Sequence, residues 1–177
     1  MKGWTRRRGH LVAVLDPSEA ALLRGLVTQI RDMLGARAAD APDDELAQLT
    51  GMTTGLSTPP EDRVLARLLP DFSRDDDGLS GGMRSLHEPE LLAEKDGVAA
   101  VVLDTCPPHG GQVRLTPEQA AAWLSALNDV RLALGTALEV TEDLPDELPP
   151  EDPRASHLPV YHWLTWMQES LVGALSG

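Results

Sequence analysis

Between Thr116 and Leu138 the chain reads TPEQAAAWLSALNDVRLALGTAL, and this stretch constrains the fold more than any other. Thr116 can cap a helix N-terminus, Pro117 fits the first helical position where no amide hydrogen is needed, and Gln119 can reach back to complete a capping box. Ala120, Trp123, Leu127, Val130, Leu134 and Leu138 then recur at spacings of three and four, which places them on one side of a helix. Leu132 and Ala121 fall on the opposite side, so this central helix, 116–138, is expected to touch neighbours on two faces and to sit inside a bundle.

The flanking segments follow the same logic. Gly3 to Leu15 reads as two short strands turned by Arg8-Gly9, giving a hairpin over 1–15. Asp16-Pro17-Ser18-Glu19 repeats the capping pattern, and Leu22, Leu23, Leu26, Val27, Ile30, Met33 and Leu34 make an amphipathic stripe that Gly35 can end. Shorter helices are expected across the remainder of 16–106: Asp43 to Leu49, Arg63 to Leu69 before Pro70, one after Asp75, Asp76 and Asp77, and Glu88 to Leu103 with Gly97 weakening its middle. The Gly, Ser, Thr and Pro content of 51–60 predicts a flexible loop, and Pro108 to Arg114 a connector. Residues 142–153 mix acidic groups with prolines and predict a solvated arm, after which Pro159 opens a final helix, 159–175, with Val160, Trp163, Leu164, Met167, Leu171, Ala174 and Leu175 on its core side. The expected fold is one mainly α domain over 1–177, a bundle of five to six helices carrying a short N-terminal β-hairpin.

A core with so few aromatics must be built of Leu, Val and Ala, and that composition favours helices over a sandwich. The formal charge is −13, and Lys2, Arg6, Arg7 and Arg8 hold four of the 15 basic residues, leaving 11 against 28 acidic ones elsewhere. Such a surface repels a phosphate backbone, so broad duplex binding is not the default. A single cysteine precludes an intramolecular disulfide and points to a reducing cytoplasm, and no stretch is apolar enough for a signal h-region or a membrane span.

Few residues carry chemistry. The basic cluster with Trp4 combines phosphate-seeking charge with an aromatic, and suits either DNA contact or an edge for a protein partner. Cys106, near a helix C-terminus that opposes a thiolate and three residues before His109, reads as an inert buried thiol or a redox sensor. Asp71, Ser73, Asp75 and Asp77 alternate like calcium ligands, but Asp76 and Gly82 stand where the turn glycine and closing glutamate belong. The five histidines include no pair three or four apart on one helix, so zinc is not expected, nor any other cofactor. Arg131, at the margin of the central stripe, is expected to form a salt bridge with an acidic neighbour. Tyr161, Trp163 and Trp166 can leave aromatic surface for an interface.

The blocks LDPSEAALLRGLVTQI, LARLLPDFSRDD, VVLDTCPP, RLTPEQAAAWLSALNDVRLALGTALEVTED and DPRASHLPVYHWLTWMQESL together resemble an actinobacterial domain-of-unknown-function family that includes AosR-type oxidative-stress transcriptional regulators. The resemblance implies action with an alternative sigma factor on cysteine-biosynthesis genes, and oxidant sensing through a C-x-x-x-C pair. Here Val102 and Gly110 stand four residues before and after Cys106, so the intrachain switch does not carry over. The expectation is a cytoplasmic, non-enzymatic protein that works by contact with a protein partner, a sigma factor under the resemblance, through Lys2, Trp4, Arg6, Arg7, Arg8, Tyr161, Trp163 and Trp166. The alternative is a non-catalytic scaffold or adaptor, monomeric or homodimeric. A carboxylate hydrolase is the third class, for which no convergent acidic pair shows at a recognisable spacing.

Overall fold

A computed structural model describes residues 1–42, 45–51 and 54–177. In chain order the elements are β1 (Lys2–Arg7), β2 (His10–Leu15), α1 (Pro17–Ala39), α2 (Glu45–Thr50), α3 (Arg63–Leu68), α4 (Asp77–Thr105), β3 (Gly111–Leu115), α5 (Pro117–Ala137) and α6 (Leu158–Ser176). The fold is mainly α, as expected, with a small sheet at one end.

Helix α5 is the hub. Thr116 Oγ1 accepts from the Gln119 amide, the Gln119 side chain accepts from the Thr116 amide, and Pro117 opens the first turn. The helix packs against α1, α3, α4 and α6. Its Trp123, Leu127 and Val130 lie in the main core with Leu23, Val27, Val102, Leu164, Met167 and Leu171. Leu132 packs on a second, smaller core of Leu34, Leu68, Leu69, Leu92 and Ala133, which gives the helix its two faces, whereas Ala121 is exposed.

The hairpin turns at Arg8 (φ 49°) and Gly9 (φ 80°), and this pair of positive φ values is what a two-residue turn between right-twisted strands requires. The structure adds a strand that the expected connector concealed. Residues 111–115 pair antiparallel with β2, giving the order β1-β2-β3. Leu11, Ala13 and Leu15 alternate inward with Val113 and Leu115. Gly110 (φ 77°) makes the strand's entry fit, since a Cβ there would stand 2.7 Å from the backbone at Asp16 and Pro17.

Two helices run longer than their spacing predicts. Helix α1 passes through Gly35 to Ala39, because Ala36, Arg37, Ala38 and Ala39 favour helix and Arg37 has a buried partner. The two helices expected on either side of His87 are one element of 29 residues, α4, with Pro89 inside it. Proline cannot donate to the carbonyl four residues back. The Gly55 amide takes that place, donating to Ser85 O at 2.8 Å.

Alongside Pro89, Glu88 joins the buried guanidinium groups of Arg37 (2.6 Å) and Arg84 (3.2 Å). Arg37 also donates to Thr58 O, and Arg84 to Leu69 O and Asp71. The 51–60 stretch expected to be flexible is therefore held at Gly55 and Thr58, while positions 52 and 53 lie outside the described residues. So does Asp43, at the start of the short helix expected over 43–49, which is described from Glu45. The acidic 142–153 arm carries turns and no helix or strand, and just beyond it Arg154 donates to Leu138 O at 3.3 Å.

Candidate functional site

Strand β1 lies on α6, so the basic hairpin and the C-terminal half of that helix form one surface. The Trp4 amide donates to Ser170 Oγ at 2.8 Å, and a Cβ on Gly3 would meet the same oxygen at 2.7 Å. Arg6 reaches the Leu175 carbonyl at 3.4 Å, which puts a cation at the negative end of a helix whose last turn has no basic residue of its own. Trp166, beside Gly3, is 40% exposed.

Register then sorts the side chains of the sheet. Lys2 pairs across to Val14, which pairs to Gln112, and Val12 pairs to Arg114. Lys2, Arg6, Arg7, Arg8 and Arg114 are all exposed, and Val14 is 53% exposed on the outward side. His10 Nδ1 lies between the Arg114 guanidinium at 3.1 Å and the Arg8 carbonyl oxygen at 3.2 Å, which ties β3 to the hairpin turn. The result is an outward face carrying Lys2, Arg7 and Arg114 with the exposed Val14, continued by Arg8 in the turn and by Arg6, which lies opposite Leu11 on the α6 side of the sheet. Sequence reasoning missed Arg114 because β3 was read as a connector; the alternation Gln112, Val113, Arg114, Leu115 was the available signal.

Trp4 is not part of that surface. Its ring is buried and meets Trp123 edge to face, with centroids 5.3 Å apart and planes at 79°. The aromatic expected to stack or dock is a core residue, because the bulge between Lys2 and Thr5 turns it inward. Trp163 is half-buried against the main core with its Nε1 enclosed. Tyr161 lies near the start of α6, with its ring against Gly135 of α5, where a Cβ would come within 3.0 Å of it. Of the expected contact residues the structure thus gathers Lys2, Arg6, Arg7, Arg8 and Trp166, and sets the other three elsewhere.

Cys106 caps the C-terminus of α4, and its thiol is buried. Burial pushes the thiol above its ordinary pKa, and the nearby Arg24 offsets this only in part. Arg24 donates to the carbonyls of Leu103 (2.6 Å) and Cys106 (2.7 Å), so its main work is closing the helix end. The thiolate needed for attack on an oxidant is disfavoured here. Arg131 also departs from expectation. It reaches Asn128 Oδ1 at 3.4 Å and forms no ion pair among the described residues, while the neighbouring Asp129 pairs with Lys95 at 2.7 Å. Among the described residues no three His, Cys, Asp or Glu side chains are grouped to hold a metal, and no helix is long and apolar enough to cross a membrane.

Proteins named oxidative stress regulator AosR in Mycobacterium bovis and Mycobacterium tuberculosis are 44% identical over 186 residues, covering 98% of this chain and 85% of theirs. A putative oxidative stress regulator AosR of Mycobacterium leprae is 42% identical over 176 residues, covering 92% of this chain and 81% of its own. No solved structure matches. A family model described as domain of unknown function (DUF2017) matches residues 1–175, and the chain, alike in sequence to these regulators along nearly its whole length, belongs to that family.

Proposed function

We propose that the chain is an oxidative-stress regulator that acts in the cytoplasm by touching a protein partner, a sigma factor, and catalyses no reaction itself. The observation that carries the regulator reading is the 44% identity, over 98% of the chain, to proteins of that name. Contact chemistry is supported by the exposed end formed by the sheet and the adjoining helix α6. Arginine and tryptophan dominate the energetics of protein interfaces, and here Arg6, Arg7, Arg8 and Arg114 share an end of the molecule with Trp166. On a body of charge −13 this end is suited to an acidic patch of the partner, while the acidic remainder suits basic surface of the transcription machinery.

With one cysteine, an oxidant signal cannot run through a disulfide within this chain. Affinity capture from native cells, with and without peroxide, tests the reading. Recovery of a sigma factor by the wild type, and its loss on Arg6→Glu/Arg8→Glu or Trp166→Ala with folding intact, is the expected result. Stress-gene expression unchanged in a deletion strain, or capture of no transcription protein, would overturn it.

A further inference from the structure

We propose that a second site, walled by α3, the end of α5 and the start of α6, binds a small polyanion through its phosphoryl oxygens. The pocket has a volume of about 340 Å³, within the usual range for small-molecule sites. Arg63 and Arg67 enter it from α3, Arg131 from α5, and Thr141 and Tyr161 complete its walls. Three guanidinium groups face one lining carboxylate, that of Glu139. In an acidic molecule this is a local excess of positive charge, and planar guanidinium forks match the oxygens of a phosphoryl group in pairs.

The cations are incompletely used. Glu139 holds Arg63 at 3.2 Å, but among the described residues Arg67 forms no ion pair and Arg131 only the long contact to Asn128. The Arg131 Nε is buried with no partner among them, so this guanidinium is held in place with its hydrogen-bonding capacity only partly used. Glu139 itself has φ 54°, a conformation costly for a non-glycine residue, and it closes α5 where glycine would be usual. The carbonyls at that helix end do not repel an anion as free acceptors would. Those of Leu134, Gly135, Thr136 and Leu138 already accept from Leu138, Val140, Glu139 and Arg154. Glu139 thus acts as an internal stand-in, occupying one arginine that the ligand would take.

The test is a ³¹P NMR and calorimetric titration of the full chain with pyrophosphate and, separately, magnesium-free ATP, at low ionic strength. Saturable binding is expected. Arg67→Ala, an exposed position, should weaken it roughly tenfold, the worth of one charge-assisted hydrogen bond, and Glu139→Gln should tighten it severalfold. Tighter binding of ATP assigns a nucleotide, and equal binding a bare polyphosphate. Titrations that never saturate, or affinities unmoved by both substitutions, would overturn the proposal. The site stands apart from the regulatory surface, because Tyr161 and Ser170 are separated by nine residues, about 13 Å along α6. Partner capture and anion binding therefore fail independently.

Discussion

Gly55 and Pro89 are a matched pair: the amide of the first makes the hydrogen bond to Ser85 that the second cannot, and a Cβ on Gly55 would stand 3.1 Å from the proline ring. The long helix survives its proline because a distant loop supplies the missing donor, and the loop approaches closely enough because its residue has no side chain.

A double-mutant cycle checks this coupling. Gly55→Ala should cost about 1–3 kcal/mol by overpacking against a rigid ring. Pro89→Ala should stabilise by well under the roughly 3 kcal/mol normally recovered when a proline leaves a helix, because its new amide competes with Gly55 for Ser85. The glycine substitution should be milder in the alanine background, with a coupling of about 0.5 kcal/mol or more in urea unfolding.

Glu88 neutralises two buried cations, so its removal leaves Arg37 without an ion-pair partner and Arg84 with only the exposed Asp71. Glu88→Gln is expected to destabilise by about 3–5 kcal/mol in chemical denaturation, since breaking one member of a buried ionic group strands the rest. Arg31→Gln, which breaks an exposed pair with Asp96, should cost about 1 kcal/mol or less.

The Cys106 thiol should resist iodoacetamide and peroxide in the native state, reacting only as fast as the molecule opens. Its pKa is raised on folding, so the unfolded chain releases the proton first. Stability from this group is present below the ordinary thiol range and is lost as pH rises through and above it. Mass-spectrometric labelling across pH, in native and urea-unfolded protein, measures both effects.

Asp152 accepts hydrogen bonds from the Arg154 side chain and amide, which lower its pKa to about 2. A depressed carboxylate contributes stability above its ordinary value of 3.8, lost as pH falls through about 2. In Arg154→Gln the ¹³C titration of Asp152 should move back towards 3.8, and the contact of residue 154 with Leu138 should go.

What could be read in advance was what the chain decides locally. Both ends of α5 and its buried stripe follow from a capping box and a spacing, and the Arg8-Gly9 turn from two adjacent residues. What escaped depends on segments far apart in sequence. Nothing near Pro89 announces Gly55, and nothing in the spacing of α1 says that Arg37 will be buried against Glu88. The contact surface split on the same line. Exposed cations at 2 and 6–8 were legible as a cluster, but Trp4 went inside through a bulge, Arg114 joined through an unrecognised strand, and Tyr161 belongs with the arginines of α3 and α5.

The hydrogen bond from Trp4 to Ser170 joins residues 166 positions apart. On the ribosome, the first strand is therefore synthesised long before the helix that will lie against it. Until α6 emerges, Trp4 and the inward residues of β2 lack part of their cover, and the nascent protein exposes a sticky edge that a holding chaperone could recognise. Maturation should come late and abruptly, when the final helix docks and shuts the core.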